Sequence, residues 1–157
     1  MKEHRYESQI EWTGNCGEGT NSYRGYGRDH VVWVAGKAQI ACSSDPAFRG
    51  DASRYNPEEL LVASLSACHM LWYLHLCSSN GVTVIAYRDA PSGWMQEEAD
   101  GAGQFTRVLL RPVVQLAHGS DAAKARHLHE EAHHRCFIAR SVNFPVEIEP
   151  TIGEPRP

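Results

Sequence analysis

The run Asn56-Pro57-Glu58-Glu59, followed by Leu60 to Cys77, constrains this chain more than any other stretch. Asn56 can cap a helix, Pro57 suits the first helical position, and the two glutamates fall where the helix dipole favours negative charge. From Leu60 to Cys77 nearly every position is apolar, which predicts a central helix wrapped by protein on most sides. Ser64, Ser66, His69 and His75 interrupt the run, so it reads as a buried helix and not as a membrane span. Ser78-Ser79-Asn80-Gly81 supplies the stop.

Around this helix the sequence alternates between strand and turn signals. Tyr6 to Trp12 alternates weakly, His30 to Ala35 is rich in β-formers, and Gly36-Lys37 reads as a turn into Ala38 to Cys42. Ser43 to Tyr55, with Pro46 and Gly50, reads as a loop. Val82 to Tyr87 and Phe105 to Gln115 are expected strands, with turns at Ala90-Pro91-Ser92-Gly93 and Asp100-Gly101-Ala102-Gly103. Ser120 is the expected cap of a second helix from Asp121 to about Cys136, with an apolar stripe at Ala122, Ala125, Leu128, Ala132 and Cys136. Val142 to Ile148 alternates as a last strand. The order of elements predicts an α+β fold, with helices packed on antiparallel sheet.

The 157 residues fit one domain, 1–157, and are too few for two ordinary ones. Apolar residues at 42% and charged residues at 22% exclude global disorder. A net charge of −4 disfavours nucleic acid and anionic membrane surfaces as partners. The N-terminus MKEHRYESQIEW lacks the apolar core of an export signal, so a cytoplasmic location is expected. Five widely spaced cysteines in a reducing compartment are not a disulfide framework, and some should be free thiols.

Cys68 lies deep in the central helix and Cys136 near the end of the second. Either could be a small buried hydrophobe. Cys77, nine residues after Cys68, falls on the opposite helix face and reads as core. Cys16 and Cys42 read as structural or incidental. If the two helices pack together, Cys68 and Cys136 could approach to the Cα separation of about 5.5–6 Å at which dithiol and disulfide interconvert.

The stretch NPEELLVASLSAC (Asn56 to Cys68) resembles the signature of the OsmC/Ohr family, the osmotically inducible and organic hydroperoxide resistance proteins. AHHRCFIARSVNFPVEIE resembles that family's second-cysteine helix and terminal strand, and the likeness runs over essentially the whole chain. It implies an OsmC-like fold, an intertwined homodimer with sites at the subunit interface, and thiol-dependent reduction of organic hydroperoxides to alcohols. Cys68 matches the peroxidatic cysteine, Cys136 the resolving one, and Glu58 the glutamate that holds a catalytic arginine. Arg49 best matches that arginine, with Arg28 and Arg24 as rivals. Glu58 is about 15 Å along the helix from Cys68, so service to the thiol across a dimer interface is expected. The implied partners are an organic hydroperoxide and a dithiol reductant, either a small thiol or a lipoyl-type protein; no metal or organic cofactor is implied. His69 and Phe137, each following a matched cysteine, depart from the family pattern and mark a divergent branch.

Nine histidines supply the competing signal, five of them between His118 and His134. His129-Glu130-Glu131-Ala132-His133 matches H-E-x-x-H, the zinc-hydrolase helix, but no third ligand follows. His69 and His75, six apart, do not share a helix face, and a satisfied core histidine is the plainer reading of each. Trp33, Trp72, Trp94 and Tyr73 read as core or interface, some of them available to wall an apolar peroxide pocket. Two alternatives therefore stand beside the peroxidase: a non-catalytic member of the fold that binds a small apolar ligand or senses redox state, and a zinc hydrolase.

Overall fold

A computed structural model describes residues 1–153, which form two compact units, Met1–Leu61 and the chain from Val62 onward. The first unit holds β1 (Gln9–Trp12), β2 (His30–Trp33) and β3 (Ile40–Cys42) in an antiparallel meander of that order. Gly36, with φ of +79°, makes the expected turn between β2 and β3. The loop before the helix carries one 3-10 turn, Pro46–Phe48, where the Asp45 side chain accepts from the Ala47 N–H at 2.7 Å.

Helix α1 (Pro57–Ser79) starts where its capping signals lie. The Glu59 N–H donates to Asn56 Oδ1 at 2.8 Å, and the Asn56 N–H donates to Glu59 Oε2 at 3.1 Å. This reciprocal box satisfies two helix-end donors that would otherwise lack partners. By length and composition α1 is apolar enough to cross a membrane. Its burial departs from expectation: only Leu65, His69, Tyr73, Leu76 and Cys77 are buried. Their spacing traces one stripe, while Leu71 on the far side is 63% exposed.

The second unit adds β4 (Val84–Arg88), β5 (Ser92–Glu97), β6 (Gly103–Leu110), β7 (Val113–Leu116), α2 (Ala122–Arg135), β8 (Val146–Ile148) and β9 (Thr151–Gly153). Two three-stranded sheets result, in the orders β4-β7-β9 and β5-β6-β8. Several expectations are corrected here. The single strand over Phe105 to Gln115 is two, broken around Pro112, which has no N–H to give a ladder. Ser92 and Gly93, read as turn, open β5, which pairs antiparallel with β6 around the Asp100-Gly101 turn. The sheets are mixed and not purely antiparallel, because β8 runs parallel to β6 and β9 parallel to β7. The last strand is shorter than Val142 to Ile148, and β9 follows it. Asp121, not Ser120, caps α2, accepting from the Lys124 N–H at 2.9 Å. Ser120 Oγ instead accepts from the Thr83 N–H at 3.2 Å.

Two apolar clusters fill this unit. Tyr73, Leu76 and Cys77 of α1 pack with Val114 and Leu116 of β7 and with Ala125, Leu128 and Ala132 of α2. Leu65 packs with Val108 and Leu110 of β6, flanked by Ile138, Phe144 and Val146. Ala122 of the expected stripe is exposed, and His129 joins the buried face in its place.

Candidate active site

Helix α1 carries Cys68 midway along its length, and α2 ends at Cys136, whose extended backbone (φ −65°, ψ 112°) stops the helix. The Leu65 cluster on one side and the Ala132 face on the other bring these positions together, close enough for the Cys68 thiol to act on Cys136. Cys68 is partly exposed and Cys136 is buried. The Ala139 N–H donates to Cys136 Sγ at 3.4 Å. Even so, burial first and the Cys68 thiol second push Cys136 up to about 11. The pair is asymmetric: Cys68 is reachable, while Cys136 is sealed and holds its proton.

Aromatic side chains flank the thiols. Trp72 lies one turn beyond Cys68, and its ring meets that of Phe137 edge-on at a centroid distance of 5.5 Å. The Arg135 guanidinium stands 5.8 Å from the Trp72 ring. Phe137 is largely exposed, so this corner presents apolar surface next to the cysteines.

Arg49 and Glu58 belong to the first unit. Arg49 closes the 3-10 turn with a left-handed φ of +66°, unusual for a side-chain-bearing residue, and its guanidinium stands 5.8 Å from the Tyr23 ring. Among the described residues it makes no ion pair within 4 Å, and none links it to Glu58. Arg28 is tied down: it stacks on Tyr26 at 3.9 Å and Tyr23 at 4.7 Å, and it donates to the carbonyl oxygens of both. Glu59 is consumed by the capping box, whereas Glu58 has no side-chain partner among the described residues.

Sequence reasoning missed a second contact between the same helices. His69 Nε2 and His129 Nδ1 are 2.9 Å apart, and both rings are buried. The Tyr73 ring stacks on His129 at 3.7 Å. Desolvation, with His133 adding repulsion, lowers His69 to about 4; desolvation, then His69 and Arg126, lowers His129 to about 3. Both are neutral at pH 7. The H-E-x-x-H match does not assemble a zinc site: His129 turns inward to His69, and no group of three His, Cys, Asp or Glu among the described residues is placed to hold a metal. The apolar residues flanking His129 were the available signal, but its partner lies sixty positions away.

The family model described as OsmC-like protein matches residues 50–151. An OsmC-like protein of unknown function from Vibrio cholerae superimposes with a TM-score of 0.84 at 30% identity, covering 96% of this chain and 99% of that one. An organic hydroperoxide resistance protein from Elizabethkingia anophelis superimposes with a TM-score of 0.69 at 18% identity, covering 98% and 100%, a likeness of fold. The uncharacterized protein YmaD of Bacillus subtilis is 22% identical over 153 residues, 95% of this chain and 93% of its own. With the matched model spanning most of the chain and the same α+β arrangement recurring in these structures, this protein belongs to the OsmC-like family.

Proposed function

We propose that the protein is a cysteine-based peroxidase that reduces organic hydroperoxides. The observation that carries this reading is the asymmetric Cys68–Cys136 contact, since a reachable thiol beside a sealed, protonated one divides attack from resolution. The Cys68 thiolate attacks one peroxide oxygen; the S–O bond forms, the O–O bond breaks, and the departing alkoxide takes a proton to become the alcohol. Cys136 sulfur then attacks the Cys68 sulfenic acid, the S–S bond forms and water leaves. A dithiol donor, a small thiol or a lipoyl-type protein, returns both cysteines to thiols by exchange.

In this reading Arg49 pairs with the Cys68 thiolate and binds the peroxide oxygens, and Glu58 orients Arg49. Their uncommitted side chains support these roles over Arg28, which is held by two tyrosine carbonyls. We assign the active form as a homodimer acting in the cytoplasm, the whole chain serving as one domain. The apolar side chains exposed on α1 supply the surface for such an assembly, and Trp72 and Phe137 an apolar wall for the peroxide's organic part.

Anaerobic consumption of cumene hydroperoxide with a dithiol reductant, in wild type, Cys68→Ser, Cys136→Ser and the double variant carrying both changes, tests the reading. Turnover of the organic peroxide that vanishes in Cys68→Ser supports it. A wild type no faster than the double variant overturns it, and a redox-sensing or ligand-binding member of the fold then takes its place.

A further inference from the structure

We propose that the cleft between α2 and β8 binds a small monocarboxylate with an apolar body, held by Arg126, His129 and His133 against Val146 and Ile148. The cleft has a volume of about 460 Å³ and lies within the second unit. Positions 126, 129 and 133 form one stripe along α2, so a guanidinium and two imidazole rings make up the helix wall. The facing wall, Val146, Ile148 and Pro150, is apolar. A donor-rich wall opposite an aliphatic one matches a ligand that carries an anionic end and a hydrocarbon body.

Three observations give the anionic end its place. Arg126 is exposed, and its Nη1 donates to the Pro150 carbonyl at 3.1 Å, which fixes the guanidinium at the rim and leaves its other N–H groups free to donate. His129 Nε2 and His133 Nδ1 are buried nitrogens without a partner, both on residues that line the cleft. Burying such an atom unpaired is costly, and a ligand oxygen would relieve that cost. Glu130, the carboxylate on the same wall, is engaged by His127 Nδ1 at 3.3 Å. Desolvation lowers His133 and His129, so both are neutral donors at pH 7 and Arg126 supplies the charge.

The tautomers then follow. For His129 Nε2 to donate to a carboxylate, its Nδ1 must accept from His69 Nε2–H across their 2.9 Å contact. Occupancy of the cleft therefore selects one of the two proton arrangements of the buried pair. This gives a spectroscopic signature that simple surface adsorption of an anion would not produce.

The test titrates the full-length protein with hexanoate, following binding by calorimetry and the imidazole ¹⁵N resonances by NMR. Saturable binding with a Kd on the order of 1 mM is expected, given a ligand of this size. The His69, His129 and His133 nitrogens should shift together. Acetate and 1-hexanol, each lacking one half of the ligand, should bind at least about tenfold more weakly, as should hexanoate to Arg126→Gln. Arg126 is exposed, so that variant should melt like the wild type; His133→Phe gives an independent second loss of affinity. The proposal is overturned by absence of saturation at tens of millimolar, about tenfold above the expected Kd. Equal binding of acetate or 1-hexanol, undiminished binding by Arg126→Gln, or shifts confined to other histidines would overturn it too. None of these readouts depends on peroxidase activity.

Discussion

Two side-chain pairs link α1 to α2 and its end, and they begin at neighbouring residues: Cys68 meets Cys136, and His69 meets His129. The thiol pair is lopsided, one member partly exposed and the other sealed with its proton held. The imidazole pair is buried on both sides, neutral, and stacked under Tyr73. Similar placement thus gives opposite aptitudes. Partial exposure leaves the first pair open to a substrate, while complete burial makes the second a polar clamp in an apolar cluster. The difference teaches that access, more than residue chemistry, decides which of the two pairs is open to solvent.

The largest expected effect comes from breaking the thiol pair. Cys68→Ser should lower organic-peroxide turnover by at least about a thousandfold, because the hydroxyl is not a thiolate nucleophile. Cys136→Ser should instead complete one turnover per chain and stall as a sulfenic acid on Cys68, detectable by dimedone labelling and mass spectrometry. If Cys68→Ser keeps its turnover while Cys136→Ser loses it, the roles are reversed and the burial argument fails.

Breaking the imidazole pair should act on stability and leave the chemistry alone. His69→Leu leaves His129 Nδ1 buried without its partner, at a cost of about 2 kcal/mol. That corresponds to a fall in Tm of about 4–8 °C for a chain of this size. Turnover per folded molecule should stay within about threefold of wild type. A hundredfold loss at unchanged Tm would make His69 part of the reaction and erase the contrast.

The same pair predicts acid sensitivity with a defined sign. Both imidazoles titrate lower in the folded protein, to about 4 and about 3, than the usual 6.5 of an unfolded chain. Between those values the unfolded state binds more protons, so stability is complete above about pH 6.5 and is lost as pH falls. Each histidine should remove about 1 kcal/mol between pH 6 and pH 5. Urea unfolding at pH 7, 6 and 5 checks this, and His69→Leu should flatten the dependence. An equal slope in the variant would place the acid sensitivity elsewhere.

How much of this was legible follows from how local each signal is. The start of α1 could be read because Asn56, Pro57 and Glu59 act within four residues of one another. Strand β5 could not, since Ser-Gly-Trp-Met-Gln-Glu has no β-branched residue and takes its register from β6. The parallel pairings of β8 and β9 are non-local, so alternation along Val142 to Ile148 says nothing about strand direction. Ser120 and Asp121 are both good caps, and the backbone course at Thr83 decides between them. At the site, the motif marked Cys68, but its contact with Cys136 depends on packing. The His69–His129 pair joined two signals that had seemed unrelated: a lone core histidine and a spurious metal motif.

The smallest expected effect belongs to Cys77, the third thiol of this comparison. It is as buried as Cys136 and lies on the same helix as Cys68, nine residues on. Its neighbours are apolar side chains of the Tyr73 cluster, and burial pushes its pKa up as it does for Cys136. What it lacks is a thiol opposite. If a second sulfur, and not burial, is what makes Cys136 functional, Cys77→Ala should leave turnover unchanged and cost about 1 kcal/mol for the lost packing. Oxidation of Cys68→Ser should likewise leave Cys77 unpaired, as read by mass spectrometry after alkylation. A Cys77–Cys136 disulfide in that variant would mean that the two clusters exchange partners, and that the stripe of α1 facing α2 is less fixed than its packing implies.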